Sequence, residues 1–154
     1  MAGLVRATHH LMPDERRQKR FASTPMLMMR SRAEFLSVQR GGVKRVSDAV
    51  VFQARRRPAS GVSADTVRIG FTASRKIGNA VKRNRAKRRM RAWAQHYLHS
   101  HISGQIDIVM IARARILTMG WPAFVVSCNK AAQVLETQLQ ADRQNARPSD
   151  RRSS

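Results

Sequence analysis

From Arg75 to Arg91 the chain reads RKIGNAVKRNRAKRRMR, seventeen residues with nine lysines and arginines and no acid. The acid-free stretch is wider still, from Thr66 to Ile106. A run this basic repels itself unless a polyanion lies beside it. Gly78-Asn79 punctuates the run, and from Ala80 to Tyr97 there is no Gly or Pro. Arg, Lys, Ala and Met are good helix formers, so the spacing predicts a helix over 80–97. At about 100° per residue, Ala86, Met90, Trp93 and Tyr97 fall on one narrow stripe. Asn84, Arg88, Arg91 and Gln95 fall opposite, with Arg85 and Lys87 on the two edges. One side can dock on a core while the other presents guanidinium groups. A solvated basic face on an ordinary helix is the bland alternative. Such faces usually interleave acids one turn away, and none is present here. Guanidinium forks match phosphate oxygens in pairs, which favours phosphate recognition. The helix start supplies further backbone N–H groups near Gly78 to Ala80.

The rest of the chain supports a folded protein around that helix. Its 154 residues suit one domain with tails. The net charge of +21 implies nucleic acid or another anionic surface as partner. A hydrophobic content of 42% allows a core, so the chain is not a disordered polycation. The single cysteine, Cys128, excludes an intrachain disulfide and a multi-cysteine zinc site, which fits a reducing cytoplasm. No apolar run is long enough for a membrane span or a signal peptide.

Taken in order, residues 1–28 read as a flexible basic tail. It holds His9-His10, which lack a third ligand for a metal, and ends in Pro25 and a Met-rich lead-in. Met12, Met26, Met28 and Met29 are alternative starts. Ser31 to Arg40 reads as a short helix with a capping box from Ser31 to Glu34, ended by Gly41-Gly42. Phe35 and Val38 share its inward face. Val43 to Arg57 reads as strands, followed by a loop from Pro58. Val67 to Ser74 alternates, with Val67, Ile69, Phe71 and Ala73 on one side and Arg68, Gly70, Thr72 and Ser74 on the other. Ile106 to Ala112 is apolar on both faces apart from Asp107, as a central strand would be. Pro122 suits a helix start, and Phe124, Cys128, Ala131, Leu135 and Leu139 trace the buried stripe of a last helix. His96, His99 and His101 lack zinc spacing and suit a helix end. Residues 141–154 read as a disordered tail. The expected fold is a single-domain α+β sandwich, in the order α-β-β-β-α-β-α, over residues 29–140.

The string TASRKIGNAVKRNRAKRRMR, Thr72 to Arg91, resembles the signature of the bacterial ribonuclease P protein component. Its hallmark is Arg83-Asn84-Arg85 following Gly78 to Val81. A weaker likeness runs from about Met29 to Gln138. The resemblance implies an RNA-binding domain related to one found in ribosomal proteins. It also implies a role as protein subunit of an endoribonuclease whose RNA subunit, with Mg2+, cuts the 5′ leader from precursor tRNA. No cofactor is expected in the protein itself. Arg75, Lys76, Arg83, Asn84, Arg85, Lys87, Arg88 and Arg91 would then face the RNA subunit. The first helix and the sheet would form a cleft for the single-stranded leader, with Phe35, Gln53 and Thr72 facing it. Relatives often carry aromatics at two positions one turn apart. Phe35 fits the first, but Gln39 stands at the second. Gln53 also stands where some relatives have an aromatic, which would forgo a stacking contribution of about 1–3 kcal/mol.

The residues themselves point away from a nuclease active site. Only nine acids occur, widely scattered, and no carboxylate cluster suits a metal pair for phosphodiester cleavage. Two rivals remain: a nucleoid-type or ribosome-associated binder without a specific RNA subunit, and a self-sufficient metal-dependent endonuclease.

Overall fold

The computed structural model describes residues 26–58, 66–102 and 104–145. The alternating and apolar runs form one five-stranded sheet, β1 (Met26–Met28), β2 (Val43–Val46), β3 (Val50–Arg56), β4 (Val67–Thr72) and β5 (Ile106–Ala112), ordered β1-β4-β5-β3-β2. Strand β5 is central, parallel to β4 and antiparallel to β3. That placement follows from its composition, since only a strand covered on both sides stays apolar throughout. Helix α1 (Arg32–Gly41) lies on one face of the sheet; α2 (Ala80–Tyr97) and α3 (Trp121–Asn145) pack on the other. The architecture is the expected α+β sandwich, with one strand added in front.

The main core lies between the sheet and α2 with α3. Val50, Phe52, Ala54, Val67, Ile69, Ile106, Ile108 and Met110 project from the sheet into it. Ala86, Met90, Trp93 and Ala94 enter from α2, and Phe124, Cys128, Ala131, Leu135 and Leu139 from α3. The Trp93 ring meets Phe52 edge-on at 5.5 Å between centroids, and its indole N–H donates to Asn129 Oδ1 at 2.9 Å. One side chain thus joins α2 to the sheet and to α3, with its polar atom satisfied. The opposite face holds a smaller cluster, Met29, Val38 and Val109, with Phe35 and Ile111 packed against it.

Two boundaries differ from the sequence reading. Met26–Met28, placed in the amino-terminal tail, forms the edge strand β1, parallel to β4 with Met26 opposite Val67. Three residues carry too short an alternation to read as a strand alone; β4 supplies the template. Residues 141–145, placed in the carboxyl tail, continue α3 with exposed side chains. Nothing between Leu139 and Asn145 breaks a helix, and the first proline comes at Pro148. His9-His10, Met12, the loop beyond Pro58 and the last nine residues lie outside the described residues.

Cys128 is fully buried, and burial pushes its thiol up to about 12. The thiolate is the reactive form, so the native protein should be inert to a thiol reagent such as Ellman's at pH 8. One equivalent should react after unfolding in guanidinium. Stoichiometric reaction in the native state would contradict this packing.

Candidate nucleic-acid interface

Helix α2 is built to be held from one side. Asn79 caps it, its side-chain oxygen accepting from Lys82 N at 3.0 Å. Gly78 before it adopts φ 137°, a region that favours glycine, and a Cβ there would lie 2.7 Å from the Lys82 side chain. The Gly78 N–H itself donates to the Arg75 carbonyl at 3.1 Å, closing a 3-10 turn over Arg75–Ile77. This N–H, expected to be free for an anion, is therefore engaged. Ala86, Met90 and Trp93 are buried as their spacing required, Ala94 joins them, and Tyr97 is half-buried.

The cations divide accordingly. Arg75, Lys76, Asn84, Arg85, Arg88 and Arg91 are exposed; Arg83 and Lys87 are half-buried. Asn84, Lys87, Arg88 and Arg91, spaced one turn apart, line a surface depression of about 410 Å³. The Arg91 guanidinium also lies 5.7 Å from the centre of the Phe71 ring, within reach of a cation–π contact, on a residue that is exposed overall. Among the described residues none of these cations has a carboxylate partner: every ion pair involves Arg57 or Arg68.

Arg89, the eighth cation of the run, turns inward. Its guanidinium donates to the carbonyls of Ile116 and Met119, the latter at 2.6 Å, and lies 5.0 Å from the Phe124 ring centre. Desolvation, helped by nearby Arg85, lowers its affinity for a proton. The sequence reading gave Arg89 no role. Its spacing, three from Ala86 and four from Trp93, sets it on the margin of the apolar stripe and would have identified it.

Phe35, Gln53 and Thr72 all fall on the α1 side of the sheet. Gln53 is opposite Val109, and Val109 is opposite Gly70. Phe35 covers that row: a Cβ on Gly70 would lie 2.5 Å from two of its ring carbons. Thr72 lies two residues further along the same face, opposite Ile111. All three are half-buried.

An ionic network joins the apolar contacts that hold α1 there. Asp107, the one acid of β5, is buried with its side chain 3% exposed. It accepts from Arg68 Nε at 2.7 Å and Nη2 at 2.6 Å, and from Arg57 Nη1 at 2.5 Å. Arg57 also donates to the Thr66 carbonyl at 2.6 Å. The third Arg68 nitrogen, Nη1, reaches Glu34 Oε1 at 3.0 Å. Glu34 Oε2 accepts from the N–H groups of Arg30 and Ser31 at 2.9 and 3.1 Å, completing the expected capping box. Those backbone bonds hold the Glu34 carboxyl below its usual range. The proton affinity of Arg68 is raised, chiefly by its bond to Asp107. Arg68, on the side of β4 that carries Gly70 and Thr72, is occupied by the carboxylates on either side of it.

His99 is half-buried and desolvation lowers its proton affinity, in keeping with a packing role at the end of α2. Among the described residues no three His, Cys, Asp or Glu side chains converge as a metal site.

Gly70→Ala should displace the Phe35 ring and destabilise the fold by about 1–3 kcal/mol in urea denaturation. Phe35→Ala in the same background should remove most of that penalty. A Gly70→Ala protein as stable as the parent would contradict the close contact.

Comparison with known proteins agrees with this geometry. The family model Ribonuclease P matches residues 25–136. The ribonuclease P protein component of Paramagnetospirillum magneticum is 41% identical over 91 residues, 58% of this chain and 67% of that protein. That of Ruegeria pomeroyi is 40% identical over 92 residues, 60% of this chain and 71% of that protein. Among solved structures, Staphylococcus aureus RNase P protein aligns with a TM-score of 0.59 at 26% identity, covering 70% of this chain and 93% of its own. The RNase P protein from Thermotoga maritima, at 23% identity and a TM-score of 0.58, covers 70% of this chain and 96% of its own and shares the fold. With most of its folded region matched by the family model, and with relatives at this identity, the chain belongs to the ribonuclease P protein family.

Proposed function

We propose that this protein is the protein subunit of ribonuclease P. It binds the catalytic RNA subunit through α2 and contacts the 5′ leader of precursor tRNA in the trough under α1. The leader is removed by RNA-subunit chemistry that uses Mg2+, leaving the mature tRNA 5′ end, in the cytoplasm. No helix among the described residues is long and apolar enough to cross a membrane.

The observation that carries this reading is the one-sidedness of α2. Its apolar stripe and Arg89 are fixed inward, which leaves Arg83, Asn84, Arg85, Lys87, Arg88 and Arg91 outward with no carboxylate partner among the described residues. Arg75 and Lys76 extend the same surface at the turn before the helix. Planar guanidinium groups one turn apart suit consecutive phosphates of a structured RNA. In the trough, half-buried Phe35 offers part of its ring face for stacking, while Gln53 and Thr72 offer hydrogen bonds to an unpaired base. The same surface would serve a generic nucleic-acid binder, so function is decided by assay. Cleavage of a 5′-extended precursor tRNA should require the RNA subunit, and at low Mg2+ it should be accelerated by the protein. Cutting by protein alone would revive a self-sufficient nuclease. No effect of the protein on RNA-subunit activity would leave only a generic binder.

Two neighbouring arginines separate binding from folding. Arg88→Ala should lower the slope of log affinity for the RNA subunit against log salt by about one phosphate contact and leave the melting temperature unchanged. Arg89→Ala should leave that slope in place and lower stability by about 2–3 kcal/mol, through two lost charged hydrogen bonds. Filter binding at several salt concentrations beside thermal melts reads both. Reversed assignments would contradict the proposed orientation of the helix.

A further inference from the structure

We infer that Arg68 is a positioning residue: it fixes α1, and with it Phe35, at a set distance above the sheet face. This rests on the leader-binding reading above and adds the element that shapes the trough. Three observations carry it. First, α1 has a thin apolar anchor. Val38 is its one fully buried side chain, and the cluster beneath contains Met29 and Val109 with parts of Phe35 and Ile111. Second, Arg68 uses its three nitrogens on two elements. Nε and Nη2 grip the buried carboxylate of β5, and Nη1 grips the carboxylate that caps α1. Third, the capping carboxylate is shared. Glu34 Oε2 holds the backbone amides of Arg30 and Ser31, just ahead of α1, while Oε1 holds Arg68, so the carboxylate that closes the helix cap also ties α1 to β4.

The planar fork makes this a rigid link rather than a loose ion pair. Lysine, a single ammonium, cannot reach both carboxylates in the same geometry. Asp107 is in turn held by Arg57 and sits in the central strand, which gives the link a fixed end. The other end lies one residue before Phe35, whose ring rests on Gly70, two residues along β4 from Arg68. The link and the ring therefore span adjacent rows of the same face, and the trough width at Gln53 and Thr72 follows from both.

Glu34→Gln tests this most cleanly. Glutamine still supplies the capping oxygen of the box, so the helix start is retained and only the charged link to Arg68 is lost. Hydrogen exchange of α1 amides should then accelerate at least severalfold, while α2 amides and the melting temperature stay as in the parent. In the reconstituted enzyme, the preference for 5′-extended precursor over mature tRNA should fall about three- to tenfold with RNA-subunit affinity unchanged. Arg68→Lys should reproduce the α1 effect and also lower stability through the lost bonds to Asp107, and α1 amides in the double variant should exchange no faster than in Arg68→Lys alone, because the Glu34 link is already broken there. Unchanged α1 exchange in Glu34→Gln would overturn the inference, as would additive effects in the double variant. Phe35→Ala distinguishes the two layers. If it leaves the substrate preference intact, the leader reading fails, and the positioning role is still decided by the exchange data.

Discussion

The docking of one helix by a narrow apolar stripe decides most of what this molecule presents to solvent. Ala86, Met90, Trp93 and Ala94 are buried, and Arg89 is tied to two carbonyls of the turn before α3. With five positions committed inward, rotation of α2 about its axis is not available. The remaining cations must point outward, whatever they bind. The buried Trp93 N–H on Asn129 and the Phe52 contact extend the constraint to α3 and the sheet. A cationic surface is thereby made rigid before any partner arrives, which limits the ordering cost of association.

Acid placement completes the picture. With 30 basic and 9 acidic side chains, the chain has few carboxylates to neutralise its own surface. Two of the described ones serve the α1 face: Asp107 gathers Arg57 and Arg68, and Glu34 caps α1 and takes the third Arg68 nitrogen. Among the described residues no ion pair involves α2. The two faces of the sheet thus carry different electrostatics. One is satisfied internally and ties α1 to the sheet. The other backs a helix whose charge awaits a polyanion.

Much of this could be read from the residues. The bounds of α2, the Ser31–Glu34 capping box, the alternation of β4, the central position of β5 and the buried stripe of α3 each follow from local pattern, and local pattern persists in the fold. What could not be read depended on partners distant in sequence. β1 is a strand because β4 is beside it. The carboxylate partners of Arg68 were not legible because Asp107 lies 39 residues away and Glu34 lies 34 away. A lone acid inside an apolar strand does signal a buried cation partner, but not which arginine fills the role. The close seat of Phe35 on Gly70 was likewise invisible, since a glycine in a strand indicates close approach without naming what approaches.

The proposal puts the exposed side of α2 against the RNA subunit and assigns no RNA contact to the outer surface of α3. Directed hydroxyl-radical cleavage tests it directly, and the buried Cys128 leaves an engineered cysteine as the reactive thiol. An iron chelate would be attached through Val81→Cys on α2, where the side chain is 71% exposed, or through Thr137→Cys on α3, which is also exposed. The account predicts strong, localised strand breaks in the RNA subunit from position 81 and little or no cleavage from position 137. Equal cleavage from both positions, or cleavage from 137 alone, would contradict it.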